Sequence, residues 1–192
     1  MNFEHSVSPQ EVKFQFTSQA SYDLPMGKDR ALNLNGVGNG ILGNWTANGV
    51  VYLSDDVPIA APDVGASFSY FNQRTNMVCD PGKGSPHTAT EWFTPNCFTA
   101  PASQFVAGNA PTYLDNVRTM GAEELILSLF KSITLGKEKE LRFEISSYNV
   151  TNKAQFSAPN VSSPSSGYVN FGQIYSTSNT PCQFQFGSKF TF

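Results

Sequence analysis

The chain has 192 residues, of which 14% are charged, with 16 Phe, 7 Tyr and a net charge of −3. An ordinary soluble domain carries about 25% charged residues, and this balance lacks the basic footprint of a nucleic-acid module. No apolar run approaches the roughly 20 residues of a membrane helix, so the membrane option left open is a β-barrel, whose strands are only half apolar.

Residues 1–9 carry an early acid and no apolar core, so no signal peptide is expected there, which leaves a cytoplasmic protein or a piece of a longer one. Period-two alternation then opens over 12–24, with Val12, Phe14, Phe16, Ala20, Tyr22 and Leu24 on one face and Lys13, Gln15, Thr17, Gln19, Ser21 and Asp23 on the other. Asn35-Gly-Val-Gly-Asn-Gly40 follows no buried parallel strand and has no Lys-Ser/Thr, so it reads as a turn and not as a phosphate loop. A second strand is expected over 44–54, with Trp45, Ala47, Gly49, Val51 and Leu53 on one face.

Residues 55–120 hold seven of the twelve prolines and four glycines, and form a connection too long to be ordinary. Strands are expected again over 122–134 and 139–150. Leu125, Leu127, Leu129 and Ile133 share a face, with Lys131 the exception, and Leu141, Phe143 and Ile145 oppose Arg142, Glu144, Ser146 and Tyr148. Glu and Leu are good helix formers, but the apolar residues of 122–134 fall two apart. Keeping these leucines with Phe143 and Ile145 requires opposed residue numbers with an even sum, and so an odd-length turn centred near Gly136 or Lys137. Residues 151–181 form a second long loop, and 182–192 form the sharpest strand, with Phe184, Phe186, Ser188, Phe190 and Phe192 on one face.

The connections therefore alternate: 25–44 medium, 55–120 very long, 134–140 short, 151–181 long. Outer-membrane barrels alternate in this way, with long external loops and short periplasmic turns. If the chain ends in the periplasm, both long loops fall outside. Half-buried strands of a soluble sandwich also alternate, but these runs exceed the usual 5–6 residues and approach the 9–11 of a tilted transmembrane strand. The expected fold is all-β: an antiparallel meander of about five long strands, which leaves two raw edges and cannot close alone.

Gln183-Phe-Gln-Phe-Gly-Ser-Lys-Phe-Thr-Phe192 resembles the closing strand of a bacterial outer-membrane barrel. More specifically, the chain resembles the C-terminal end of TonB-dependent receptors of the Oar-like group, which carry a carboxypeptidase-regulatory-like N-terminal domain. Seven stretches carry the resemblance in order: Ser21–Lys28, Gly43–Gly49, Trp92–Phe98, Phe105–Asn109, Leu127–Lys131, Leu141–Ile145 and Asn170–Ile174. The family's barrel has about 22 strands and an N-terminal plug; residues 1–192 match only the last five or so strands, without plug, TonB box or signal peptide. Ser147–Lys153 and Met120–Glu124 depart from the family's pattern.

The resemblance implies a bacterial outer-membrane location, uptake of a solute, and no catalysis or cofactor. It implies as partners the outer-membrane lipid, the rest of the barrel and its plug, and the barrel-assembly machinery, which would read the C-terminal strand; nucleic acid is not among them. Phe184, Phe186, Phe190 and Phe192 would then form the lipid-facing row and assembly signal, and Arg142, Glu144 and Lys189 would face the lumen. Cys79 and Cys97, 18 positions apart in one long loop, are expected to form a disulfide in an oxidising location, the alternative being two free thiols, with Cys182 the odd one. The other class of function is a soluble secreted β-module, such as a carbohydrate-binding sandwich, in which a second sheet would cover the Phe face.

Nothing suggests catalysis. His5 and His87 lie in expected loops, and no H-E-x-x-H, C-x-x-C or G-x-S-x-G occurs. Asp55-Asp56 and Glu123-Glu124 lack a spaced set of oxygen ligands for calcium and read as solvated strand ends. Arg142 and Glu144 read as a cross-strand charge and hydrogen-bond ladder stiffening the wall, in preference to solute contacts. Trp92 and Phe93 read as residues that pin the long loop, in preference to a sugar-stacking patch. The sequons at Asn44, Asn149 and Asn160 read as chance in a bacterial barrel.

Overall fold

A computed structural model describes residues 5–64, 73–103, 105–135, 138–162 and 170–192. Five long strands form one sheet: β1 (Gln15–Asp23), β2 (Trp45–Ser54), β3 (Ala122–Thr134), β4 (Glu140–Tyr148) and β5 (Gln183–Thr191). They lie side by side in chain order, a meander, and the sheet is not closed. The first run starts later than its alternation suggests, at Gln15 instead of residue 12, although the Asp55 N–H still donates to Phe14 O at 2.8 Å.

Register decides which side chains share a face. In β3 and β4, Ile133 stands opposite Leu141 and Leu129 opposite Ile145, so the opposed numbers have an even sum, as the alternation requires. The turn centre expected near Gly136 or Lys137 lies outside the described residues, but the flanking Leu135 N–H donates to Lys139 O at 2.8 Å. In β4 and β5, Leu141 stands opposite Phe190, Ile145 opposite Phe186 and Ser147 opposite Phe184. Leu24 N–H donates to Trp45 O at 2.8 Å, which aligns the even positions of β1 with the odd positions of β2. A Cβ on Gly49 would meet the Leu127 side chain at 3.4 Å, so the odd positions of β2 and β3 share a face, and glycine leaves room there for the leucine. All five strands thus present their apolar sets on one side.

The connection between β1 and β2 departs from expectation. Gly36–Leu42 is a short helix and not a turn. Helix propensity cannot explain it, because three of its seven residues are glycine. Its support comes from the sheet, through hydrogen bonds described below.

Residues 15–53, 123–154 and 180–192 make up one compact unit that contains this sheet; residues 1–14, 54–122 and 155–179 make up a second. The second unit collects most of both long connections, and it is not a featureless loop. Pro58–Ala60 pairs antiparallel with Tyr113–Arg118, and Asn76–Met77 pairs with Phe98–Thr99. Its core is built from Ile59, Trp92, Phe93, Cys97, Phe98, Leu114, Val117, Phe171 and Ile174. The reason the chain can fold so much irregular backbone is this apolar cluster: long connections are tolerated when they bury their own side chains.

Candidate functional site

The apolar side of the sheet is the first candidate surface. Phe184, Phe186 and Phe190 are 67%, 74% and 49% exposed, and Leu127, Leu129 and Phe143 on neighbouring strands are also exposed. Phe192 lies just beyond β5 and stacks on Phe190 with ring centroids 5.9 Å apart. With Phe16 and Tyr22 of β1, exposed apolar side chains stand on four of the five strands, and those of β2 are half-buried; such a face exceeds the scattered apolar residues of an ordinary soluble surface. Within the sheet's own unit, the helix Gly36–Leu42 lies against this side at Lys131 and Trp45.

The opposite side is polar. Arg142 makes an ion pair with Glu144 at 3.6 Å and lies over the Phe130 ring at 4.2 Å from its centroid. Ser128 and Ser146 hydroxyls share a hydrogen bond at 2.8 Å, Ser146 donates to Glu144 at 3.3 Å, and Tyr148 donates to Gln185 at 3.2 Å. Lys189 stands directly opposite Arg142, which places two cations side by side with Glu144 as the counter-charge beside them. Arg142 and Glu144 are brought together along one strand, and the contacts that cross strands come from Phe130, the serines and Tyr148. Phe130 on the polar side is a residue that alternation hides, because it breaks the pattern of its strand; its signal is the cationic residue reaching it from β4.

The second unit is organised around its apolar cluster. Phe93, Phe98 and Phe171 meet edge to face in a triangle, with ring centroids 5.1–5.9 Å apart. Trp92 is buried, donates its indole N–H to Arg118 O at 2.7 Å, and meets His87 and Phe156 edge-on. Trp92 and Phe93 are core residues of the long connection, not an exposed stacking patch. Gly172 has φ +78°, a left-handed backbone that would strain any side chain, and a Cβ there would touch the Phe93 ring at an ordinary 3.6 Å.

Cys79 and Cys97 are joined in a disulfide with Cα atoms 4.9 Å apart, and Cys182 is free. The bond closes a segment with a sequence separation of 18. In the chain-entropy account such a closure contributes about 3 kcal/mol. Cys79→Ala is expected to accelerate limited proteolysis within 55–120 in the intact protein. Equal rates with and without reductant for the unsubstituted protein would contradict it.

Arg118 is the residue that sequence reasoning missed. Its side chain is 10% exposed and pairs with Asp56, with Glu11 at 3.4 Å and with Asp115 at 3.4 Å. It also donates to the main-chain oxygens of Glu11 at 3.0 Å and Asp56 at 3.2 Å. Desolvation works against the charge, but the hydrogen bonds and charges of Asp56 and Glu11 outweigh it and hold the guanidinium above its ordinary pKa. Asp56 is therefore an ion-pair partner and not a solvated strand end. Glu123, from the second acidic pair read that way, pairs with Lys153.

Asn149 also has a structural part. Its backbone is left-handed at φ 48°, and its amide donates to Lys153 O at 3.2 Å and Thr180 O at 2.8 Å. The side chain ties the two ends of the 151–181 connection together and is buried, so its sequon is an accident of a turn residue. Among the described residues no group of three or more His, Cys, Asp or Glu is arranged to hold a metal ion.

The family model for an outer membrane beta barrel domain matches residues 1–185. No curated protein and no solved structure matches the chain. The match favours a barrel wall over a soluble sandwich, and it agrees with an open meander of long strands that carries one apolar face. The chain belongs to the outer membrane β-barrel domain family, and its location is the bacterial outer membrane.

Proposed function

We propose that this chain forms the closing strands and external loops of an outer-membrane, TonB-dependent transporter that takes up a solute. The observation that carries the reading is topological: the two long connections leave the same end of the meander, the short and medium ones leave the other, and the strands align their apolar sets on one face, exposed on four of the five. Long loops on one side and short turns on the other are the pattern of outer-membrane barrels. The apolar face then meets lipid, and Arg142, Glu144 and Lys189 face the lumen, where their ladder stiffens the wall. β1 and β5 are edges that pair with the remainder of the barrel, since an open sheet leaves a row of unpaired main-chain groups on each side. TonB dependence rests on the seven matching stretches named above. The chain has no catalytic part in this reading, and its partners are lipid, the rest of the barrel with its plug, and the assembly machinery.

The test is epistasis of uptake. In a host limited for one nutrient at a time, deletion of the gene and loss of TonB are expected to give the same growth defect, with no further loss when combined. Defects that add would separate this barrel from TonB.

Phe192 provides a second test. An assembly machine can add a terminal strand to an exposed edge through main-chain hydrogen bonds, with alternate side chains giving specificity. Deleting Phe192, or Phe192→Ser, at the end of the full-length receptor is expected to lower the amount inserted in the outer membrane. Insertion at the unmodified level would leave Phe192 only an anchoring part at the membrane interface.

A further inference from the structure

The helix Gly36–Leu42 needs an explanation that its own sequence does not supply. Isolated helices this short do not persist in water, and its glycines weaken it further. Two side chains from the apolar side of the sheet hold it. Lys131 Nζ donates to the carbonyls of Asn39 at 3.2 Å, Gly40 at 2.7 Å and Gly43 at 2.7 Å. Trp45 Nε1 donates to Ile41 O at 2.9 Å. The carbonyls of Gly40, Ile41 and Gly43 belong to the helix's last turn and its end, where a helix leaves carbonyls without internal partners, while Asn39 O also accepts from Gly43 N–H at 3.1 Å.

The arrangement answers two problems together. Lys131 stands opposite Phe143, so it belongs to the apolar face, and it is only 5% exposed. A bare ammonium on that face would be costly in lipid. An ammonium has three donors, and three carbonyls receive them. The helix in turn is fixed on the apolar side of the sheet, next to Trp45, a residue type enriched where a membrane meets water.

What the helix does not use for this contact is apolar and open. Val37 is 79% exposed, Ile41 64% and Leu42 54%. The helix has no charged residue. It belongs to the connection at the end where the β3–β4 turn lies and where β5 finishes. Its apolar side chains thus extend the sheet's apolar face at one rim.

We propose that the 25–44 connection is a lipid-binding anchor: Val37, Ile41 and Leu42 enter the bilayer interface at the short-connection rim, and Lys131 clamps the helix there. The occupant is lipid, because the surface continues a face that meets lipid in the reading given above, on which this inference rests. Helices of this kind lie in the interface plane with their apolar side in the headgroup and acyl boundary.

Depth-dependent quenching tests it. A polarity-sensitive fluorophore is attached at Val37→Cys, Ile41→Cys or Phe186→Cys, each with Cys182→Ser, in the full barrel. The barrel is placed in phosphatidylethanolamine–phosphatidylglycerol vesicles whose acyl chains are brominated near the headgroup or near the terminus. The probe at 186 is expected to be quenched from within the acyl region. Probes at 37 and 41 are expected to be quenched at least about twofold more by shallow than by deep bromine. Adding Lys131→Met is expected to weaken quenching at 37 and 41 at least about twofold, with the probe at 186 unchanged. Quenching at 186 with none at 37 and 41 would overturn the anchor and leave the lipid-facing reading of the sheet intact. No quenching at 186 would overturn that reading itself. Full quenching at 37 and 41 despite Lys131→Met would overturn the clamp.

Discussion

Phe186→Arg is expected to destabilise the assembled barrel by about 2–4 kcal/mol, whereas Gln185→Arg, one residue away, is expected to change it little. The two positions are neighbours on β5 and differ only in the side of the sheet they occupy. Phe186 stands opposite Ile145 on the apolar side and is 74% exposed, while Gln185 stands opposite Ser146 and accepts a hydrogen bond from Tyr148. A charge on a lipid-facing strand position is penalised most near the bilayer midplane and little at the rims. Phe186 is the fourth residue of the nine in β5, well inside the strand. Urea titration of the full barrel in lipid vesicles measures the difference. Equal costs at 185 and 186 would mean that the two sides of the wall see the same solvent, and the barrel reading would fail.

The sheet was legible because alternation and register depend on the same physical fact, that successive side chains on a strand point to opposite sides. Once Leu125, Leu127 and Leu129 were required to join Phe143 and Ile145, the parity of the β3–β4 turn followed, and the observed register of Leu141 with Ile133 has that parity. The closing strand was legible for the same reason, since Phe184, Phe186 and Phe190 leave little choice of face. The long connections were not legible, because no period governs irregular backbone. Their core joins Phe93 and Phe98 to Phe171, more than 70 positions away along the chain, and only the folded chain reveals that these rings meet. Lys131 could be seen as an exception in its strand, but its partners are main-chain oxygens, which carry no sequence signal. The same applies to the helix Gly36–Leu42, whose glycines argue for a turn until the clamp that holds it is seen. Asp56 looked like an exposed acid because its partner, Arg118, is 62 positions away.

Phe93→Ala is expected to destabilise the long-connection unit by about 3–5 kcal/mol, the largest effect of any single truncation in it. Phe93 has no exposed surface, and it contacts Phe98 and Phe171 edge-on at centroid distances of 5.9 Å and 5.1 Å. Removing the ring forfeits its transfer out of water and both aromatic contacts, and it leaves a cavity that neighbours cannot easily fill. Collapse is hindered on two sides. Cys97 beside Phe98 is tethered to Cys79, and Gly172 lies against the Phe93 ring in a left-handed conformation that fixes the chain's path. The comparison within the same unit is Val78→Ala. That side chain is 64% exposed, so its truncation is expected to stay within about 0.5 kcal/mol. Limited proteolysis of the intact protein, followed by mapping of cuts in 55–120 and 155–179, reads the two variants side by side. Phe93→Ala is expected to open both segments together, because Phe93 belongs to the first and Phe171 to the second. Cuts confined to 55–120 would show that the two connections do not depend on a shared core.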